Sequence, residues 1–193
     1  EELARIVSLE AVKRLPDALG EVGAAVQCDR FFAGEGQRLF GRTMTSGTPH
    51  RWAMTVRRPC GVAGLIIAAN TPAPNFAWKV FPALICGNGV VLKPAEDAPG
   101  SAWLMAKICE EAGLPKGLLN VVHGVGAEVG PALVGHPDVD VISFTGSTRV
   151  GREIAETAGK QLKKVSLELG GKNALIVCDD ADLDNAVHWS RLA

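Results

Sequence analysis

The sequence lacks a hydrophobic run long enough to cross a membrane, since no apolar stretch approaches the roughly 20 residues of a transmembrane helix. It also lacks a block of basic residues, and its 20 basic and 21 acidic side chains leave a net charge of -1. We therefore expect no nucleic-acid and no membrane partner. No signal peptide is visible, so a cytoplasmic location is predicted.

Cysteine pairs with metal-ligand or redox spacing are also missing. The five cysteines are dispersed without a CxxC motif, and the four histidines lie far apart. An odd, dispersed cysteine count argues against a disulfide framework and against a zinc site, and it fits a reducing compartment. No metal site is predicted. The G-x-S-x-G motif of serine hydrolases and a phosphate-binding P-loop are absent too.

Hydrophobic residues make up 47% of the chain, and from Pro59 onward strand-like and helix-like patterns alternate. Val62–Ala69 is a nearly continuous uncharged run, which is typical of a parallel strand buried on both faces. Further strands are predicted at 89–93, 118–123, 139–144, 164–169 and 174–177. Helices are predicted at 75–86, 101–112, 127–134 and 148–158. This repetition predicts an α/β fold with a doubly wound, mostly parallel sheet.

The first 45 or so residues have the pattern of two helices. A turn-rich link at 43–49 and a weakly alternating edge or bridging strand at 51–57 follow. The chain opens on Glu1, and its final helical pattern has no Gly, Asn or Pro to end it. We expect a piece of a longer protein.

Glu168 ends an apolar strand and is followed at once by Leu169, Gly170 and Gly171. The glycines let a ligand approach the backbone closely, and a carboxylate partly removed from water is a better base near neutral pH. The pattern favours a reacting group. A surface glutamate at the junction of a strand and a loop is the alternative reading.

Two glycine-rich turns follow predicted strands. The first, at 123–130, has the spacing G-x-G-x-x-x-G, one residue longer than the dinucleotide fingerprint. In the second, a strand leads directly into Gly146, Ser147 and Thr148 at the start of a helix. Backbone N–H groups and two hydroxyls there suit a pyrophosphate. An ordinary helix cap explains the same residues.

Polar residues follow the other predicted strands. Lys93 and Glu96 come after the second strand of the alternation, where a lysine suits a phosphate or ribose oxygen and an acid suits ribose hydroxyls. An acid at the ribose favours NAD over NADP. Asn70 follows the first strand and offers an amide donor for an oxyanion. The alternatives are an exposed ion pair and a turn-forming asparagine. Lys79 is either a solvated helix residue or a cation of the site.

Taken in order, these segments resemble the aldehyde dehydrogenase superfamily from about Arg57 to Asp184, and more loosely before that. Each motif alone is weak, but ten in the right order are specific. The motifs are Arg58-Pro-Cys-Gly-Val62, Asn70, Lys79-Val-Phe-Pro-Ala-Leu84, Gly87-Asn88, Lys93-Pro-Ala-Glu96, Glu111-Ala-Gly-Leu-Pro115, Asn120-Val-Val122, His136-Pro-Asp-Val-Asp140, Phe144-Thr-Gly-Ser-Thr148 and Leu167-Glu-Leu-Gly-Gly-Lys172.

The resemblance implies a role for each matching position. Glu168 matches the general base that activates water, and Asn70 matches the side-chain donor of the oxyanion hole. The remaining positions are implied contacts of an NAD cofactor, with NADP as the alternative. They are Lys93 and Glu96 at the adenosine ribose, Gly126 near the adenine, Gly146 and Ser147 at the pyrophosphate, and Ile67, Ala68, Thr148, Gly151 and Leu169 around them.

The resemblance also implies a Rossmann-like domain organisation. Residues 1–50 are expected to be amino-terminal helices that pack on the cofactor domain, 51–58 a bridging strand, and 59–193 the NAD-binding domain. The implied reaction oxidises an aldehyde to a carboxylic acid through a cysteine thioester. The implied assembly is a homodimer or a homotetramer.

The family's cysteine nucleophile has no match among Cys28, Cys60, Cys86, Cys109 and Cys178. We expect it to lie beyond this chain, which alone is predicted to be inactive. Two alternatives stay open. One is a non-catalytic, nucleotide-binding fragment. The other is an acylating, CoA-linked dehydrogenase, against which Glu168 weighs because hydrolysis is what needs a base for water.

Overall fold

Helices and strands alternate along the chain, of which the computed structural model describes residues 1–172 and 174–190. The helices are α1 (Glu2–Glu10), α2 (Leu15–Glu35), α3 (Pro72–Ile85), α4 (Pro99–Glu111), α5 (Gly126–Gly135), α6 (Thr148–Lys160) and α7 (Leu183–Ser190). A short 3-10 helix (Gly36–Arg38) follows α2. The strands are β1 (Thr43–Thr45), β2 (Trp52–Met54), β3 (Val62–Ile66), β4 (Gly89–Lys93), β5 (Leu119–Val121), β6 (Val141–Gly146) and β7 (Lys164–Leu169).

Strands β3 to β7 form one parallel sheet in the order β5-β4-β3-β6-β7. The chain first adds β4 and β5 on one side of β3 and then returns to add β6 and β7 on the other. The carboxyl ends of all five strands therefore share one edge, and open sheets bind ligands where the strand order reverses. The doubly wound, mostly parallel fold is confirmed.

Two apolar cores cover opposite faces of this sheet, because successive side chains of a strand point in opposite directions. Leu65 and Leu92 belong to the first core, which also contains the fully buried Phe76 of α3. Ile66 and Ile142 belong to the second core, which packs against α5 and α6. Helices α3 and α4 thus cover one face, and α5 and α6 cover the other.

The two predicted amino-terminal helices are present as α1 and α2. Ala4, Val7 and Ala18 are fully buried in the core that contains α3. Helix α2, with 21 residues, is the longest in the described part of the chain, yet no helix there combines the length and apolarity that crossing a bilayer requires. The division at 1–50, 51–58 and 59–193 stays a prediction.

Two of the predicted segments differ in the structure. The turn-rich link at 43–49 contains β1, which pairs antiparallel with β2 within the predicted 51–57 strand. β-Branched threonines favour a strand there, and the turn residues follow it.

The predicted strand at 174–177 is wrong, since these residues form no strand and Leu175, Ile176 and Val177 are exposed. A strand needs a hydrogen-bonded neighbour, and none pairs with this segment among the described residues.

Candidate functional site

The carboxyl edge of the sheet brings together polar residues that are far apart in sequence. Lys93 is the last residue of β4, Glu168 is next to last in β7, and Asn70 lies in the turn between β3 and α3. In this turn Thr71 caps α3 and Pro72 occupies the first helical position, where a missing N–H costs nothing. Parallel strand direction therefore places these side chains at one end of the molecule.

Asn70 and Glu168 line the same cleft, which has a volume of about 390 Å³. We call it the α3-side cleft. Its remaining lining residues come from the Asn70 turn, from α3, from β6 and from β7, and they are Thr71, Asn75, Trp78, Lys79, Ser143, Thr145 and Ser166. Among the residues that the structure describes, Glu168 is the only carboxylate and Lys79 the only cation in this lining. The cleft therefore combines two amides, one acid and one amine on a polar wall.

Lys79 is buried, although it carries an ammonium group. Its Nζ donates a hydrogen bond to Ser143 Oγ at 2.7 Å. Burial lowers the pKa of Lys79, and the negative charge of Glu168 opposes that shift. Lys79 is thus a cation of the site and not a solvated helix residue.

Glu168 is exposed, whereas its place in the sequence suggested a partly desolvated carboxylate. It lies on β7, which pairs with β6 on one side and has no strand on its other side among the described residues. The open side leaves the carboxylate in contact with water. The expected desolvation of Glu168 is therefore absent within this chain, and its role as a base stays a prediction.

A second cleft, of about 510 Å³, contains Lys93, Glu96 and Gly126. We call it the α6-side cleft. Its walls are mostly apolar, with Ile66 and Phe144 from the sheet, and its other lining residues come from α5, α6 and the preceding turn: Val125, Ala127, Gly130, Pro131, Val134, Arg149, Val150, Glu153, Ile154 and Thr157. An apolar slot with a few polar groups is the usual form of a small-molecule site.

Glu96 is held at the start of α5, because its Oε2 accepts a hydrogen bond from the Gly126 N–H at 2.6 Å. A Cβ added to Gly126 would lie 3.7 Å from that oxygen, which is an ordinary van der Waals contact. Lys93 is buried, and its Nζ donates to the Pro94 carbonyl at 2.6 Å. Burial lowers the pKa of Lys93, and Glu96 opposes the shift.

The two clefts lie on opposite faces of the sheet, since neighbouring residues of β6 line different clefts. Phe144 lines the α6-side cleft, whereas Ser143 and Thr145 line the α3-side cleft. The sequence pattern suggested that the acid, the amide and the phosphate-binding turn share one crevice. The amide and the acid do share the α3-side cleft, whereas the turn lines neither cleft, so its place in a common crevice stays a prediction.

The Gly146-Ser147-Thr148 turn lies at the carboxyl end of β6, where α6 begins, and lines neither cleft. Ser147 Oγ accepts from the Val150 N–H at 3.3 Å, so the capping role is present. Gly151 is buried beside Leu169, whose Cδ2 would lie 2.4 Å from an added Cβ. This glycine therefore makes room for the Leu169 side chain.

Ile67 and Ala68 follow β3, and neither lines either of the two clefts. Ile67 belongs to the core on the α3 side. The site residues proposed from sequence thus separate into two that share the α3-side cleft, three that share the α6-side cleft, and seven at the strand ends and helix start nearby.

None of the five cysteines lines either cleft. Burial raises the pKa of the Cys28 and Cys109 thiols, which disfavours the reactive thiolate. Cys60, Cys86 and Cys178 are exposed and lie away from both cleft linings.

Several polar cleft residues were not singled out from sequence: Ser143, Thr145, Ser166, Thr71 and Asn75. For the first three, a signal was present in the pattern. Ser143 and Thr145 occupy every second position of an otherwise apolar strand, and Ser166 precedes Glu168 in the same way. Polar residues with a period of two mark a strand face that is not packed against an apolar layer.

A family model described as "Aldehyde dehydrogenase family" matches residues 1–191. The mitochondrial benzaldehyde dehydrogenase of Antirrhinum majus is 49% identical over 174 residues, which are 90% of this chain and 32% of that protein.

Solved structures show the same fold. An E. coli NADP dependent enzyme matches with a TM-score of 0.94 and 43% identity, over 97% of this chain and 39% of the other. An NAD-dependent aldehyde dehydrogenase from Sinorhizobium meliloti matches with a TM-score of 0.94 and 41% identity, over 97% of this chain and 38% of the other. The chain spans about a third to two fifths of these proteins.

Proposed function

Since the chain belongs to the aldehyde dehydrogenase family, we propose that it is the cofactor-binding part of a longer enzyme that oxidises an aldehyde to a carboxylic acid. The observation that carries the proposal is the convergence of Asn70 and Glu168 on the α3-side cleft. An amide donor and a carboxylate in one cleft are two of the groups that the formation and hydrolysis of a thioester require, the third being the thiolate.

In this proposal each residue of the α3-side cleft has a separate task. The Asn70 amide donates a hydrogen bond to the oxygen that becomes negative when a thiolate attacks the aldehyde carbonyl. Once the tetrahedral adduct has lost its hydride to the cofactor and become a thioester, Glu168 accepts a proton from the water that hydrolyses it. The alternative interpretation of Glu168 as a surface residue does not explain why it lines the same cleft as Asn70 and Lys79.

The thiolate nucleophile is supplied from outside this chain. The positions of the five cysteines support this part of the proposal, because none of them lines the cleft that contains the amide and the carboxylate. Covalent catalysis requires a nucleophile within reach of both groups. The 193-residue chain alone is therefore expected to bind cofactor without oxidising an aldehyde.

The α6-side cleft is proposed to hold the adenosine part of NAD or NADP. When bound, the cofactor accepts the hydride from the aldehyde carbon. The apolar walls suit an adenine ring, and Lys93 and Glu96 suit ribose oxygens. Gly126, which has no side chain beside Glu96, leaves space for a close approach.

The residues between the two clefts are proposed to bind the rest of the cofactor. The start of α6, with Gly146, Ser147 and Thr148, offers backbone N–H groups and a helix dipole to a pyrophosphate. Ile67, Ala68, Gly151 and Leu169 are proposed to border its path. Glu96 favours NAD, because a carboxylate repels a 2′-phosphate.

NADH production by the longer enzyme tests the proposed reaction. With an aldehyde and NAD+, we expect NADH to form without coenzyme A, and the carboxylic acid to accumulate in equal amount. A strict requirement for coenzyme A would support the acylating alternative instead. Absence of NADH with a broad set of aldehydes and both cofactors would contradict an oxidative function and favour the nucleotide-binding alternative.

Assembly and location stay proposals. The hairpin formed by β1 and β2 exposes Met44, Trp52 and Met54, and exposed apolar residues of this kind mark interaction surfaces. They support a homodimer or a homotetramer of the longer enzyme. A cytoplasmic location is proposed from composition, although the relative from Antirrhinum majus is named mitochondrial.

A further inference from the structure

A buried ion pair lies beneath the turn that contains Asn70. Lys13, in the connection between α1 and α2, pairs with Glu21 of α2. The Glu21 side chain is only 5% exposed and that of Lys13 21%, whereas the other ion pairs among the described residues lie at the surface. A buried carboxylate such as that of Glu21 needs a charged partner, so the ion pair is part of the structure of the fold.

Both members of the pair also bind the backbone of the Asn70 turn. Lys13 Nζ donates a hydrogen bond to the Asn70 carbonyl at 2.7 Å. Glu21 Oε1 accepts from the Ala73 N–H at 3.1 Å, in the first turn of α3. The ion pair thus connects the α1–α2 region to the end of the segment that precedes α3 and to the first turn of α3.

The Lys13–Glu21 pair supplies hydrogen bonds to the Asn70 turn that the turn's own residues do not make. Thr71 caps α3, but its side chain accepts no hydrogen bond from a backbone N–H of the helix. Asn75 instead donates to the Thr71 carbonyl and hydroxyl, both at 2.9 Å, and so holds the middle of the turn. Asn70 is exposed, and the hydrogen bond that fixes its carbonyl comes from Lys13.

The backbone beside Lys13 adopts a conformation that its residue type disfavours. Val12 has a φ of 48°, which is uncommon for any residue other than glycine and most costly for a β-branched one. Ser8 Oγ donates to the Lys13 carbonyl at 2.6 Å and holds this connection in place. Strained backbone of this kind persists where surrounding contacts impose it, often near functional sites.

From these contacts we infer that Lys13, held by Glu21, is a positioning residue for the Asn70 amide. The inference rests on the proposed role of Asn70 as an oxyanion donor. Fixing the Asn70 carbonyl fixes its peptide plane, and the direction of the Asn70 side chain follows. An error of about 1 Å in such a donor typically costs about a hundredfold in rate.

The test uses a double substitution, because Lys13→Met alone leaves the Glu21 charge buried without a partner. Lys13→Met with Glu21→Gln removes both charges together. The glutamine amide oxygen still accepts from the Ala73 N–H, so the start of α3 keeps its bond. What the double variant loses is the bond to the Asn70 carbonyl. Arg14→Met is the matched control, since it alters the adjacent residue of the same connection.

The measurement is the rate of the first NADH turnover in the longer enzyme, made with Asn70 present and in an Asn70→Ala background. We expect the double variant to slow this step about tenfold or more when Asn70 is present, and by less than about twofold when Asn70 is alanine. The dissociation constant of NAD+ and the thermal midpoint should change little. Arg14→Met should match the unaltered enzyme in both backgrounds.

Suppose that Asn70→Ala alone slows the first turnover. The inference is then overturned, and the proposed function still stands, if the double variant lowers this rate equally in both backgrounds or in neither. If Asn70→Ala alone leaves the first turnover unchanged, the role of Asn70 itself is wrong. The background variant thus separates failure of the positioning role from failure of the proposed function.

Discussion

Replacement of Glu168 by glutamine tests the assignment of the base most directly. Glutamine keeps the size and the hydrogen-bonding reach of glutamate but does not accept a proton from water. Glu168 is the only carboxylate in the lining of the α3-side cleft, so no neighbour there takes over its task. We therefore expect a full loss of base catalysis, which is typically about a hundred- to ten-thousand-fold.

The structure also predicts what this substitution leaves intact. Glu168 is exposed, and none of the hydrogen bonds or ion pairs described above involves its side chain. Substitutions at such positions usually change the free energy of unfolding by less than about 0.5 kcal/mol. Asn70 is unaltered, so attack on the aldehyde and hydride transfer should proceed at their former rates. The defect should be confined to hydrolysis of the thioester.

Stopped-flow measurement of NADH separates these steps. The variant should produce a rapid burst of about one NADH per active site, followed by a steady state that is slower by the factor above. Glu156→Gln is the control, because Glu156 is exposed on α6 and lines neither cleft. A steady-state rate within about twofold of the unaltered enzyme would remove Glu168 from the mechanism. A burst slowed as much as the steady state would assign Glu168 to acylation instead.

Three further predictions concern the cofactor and the stability of the fold. Glu96→Gln should raise the dissociation constant of NAD+ about tenfold and leave that of NADP+ less affected, so the enzyme prefers NAD+ less strongly. Calorimetry measures both constants, and an unchanged ratio of the two would exclude Glu96 from the ribose site. Phe76→Ala should lower the free energy of unfolding by about 3–5 kcal/mol in urea titrations, because Phe76 is fully buried. Leu19→Ala is the control, and it should lower the free energy of unfolding by less than about 1 kcal/mol because Leu19 is exposed. For Lys79, burial lowers the pKa from 10.5, so the unfolded chain binds more protons between the folded pKa and 10.5. The unaltered protein should therefore gain stability relative to Lys79→Met as the pH rises through that window, and parallel pH profiles in denaturant titrations would contradict this.

Local patterns were sufficient to predict the parallel sheet. The run at 62–69 was recognisable because strands buried on both faces consist almost wholly of apolar residues. The sequence also located Asn70, Lys93 and Glu168 near strand ends. Parallel strand direction then placed them at one edge, which required no knowledge of side-chain contacts.

Pairing between distant segments was less predictable. The strand at 174–177 was predicted from composition and is absent, because strand formation depends on a neighbour that composition does not specify. The pairing of β1 with β2 was missed for the same reason. The exposure of Glu168 likewise depends on what covers the open side of β7.

The sequence by itself determined the alternation of strands and helices from β3 to β7. It also determined which residue types stand at the strand ends, because hydrophobic periodicity and turn residues act over short stretches of chain. Tertiary structure alone decided that the amide and the carboxylate share one cleft while Lys93 and Glu96 lie on the opposite face. It also decided that Lys13 meets the Asn70 carbonyl across 57 positions of sequence. Contacts of this kind depend on how helices pack against the sheet, and packing is a property of the whole fold that no local pattern records.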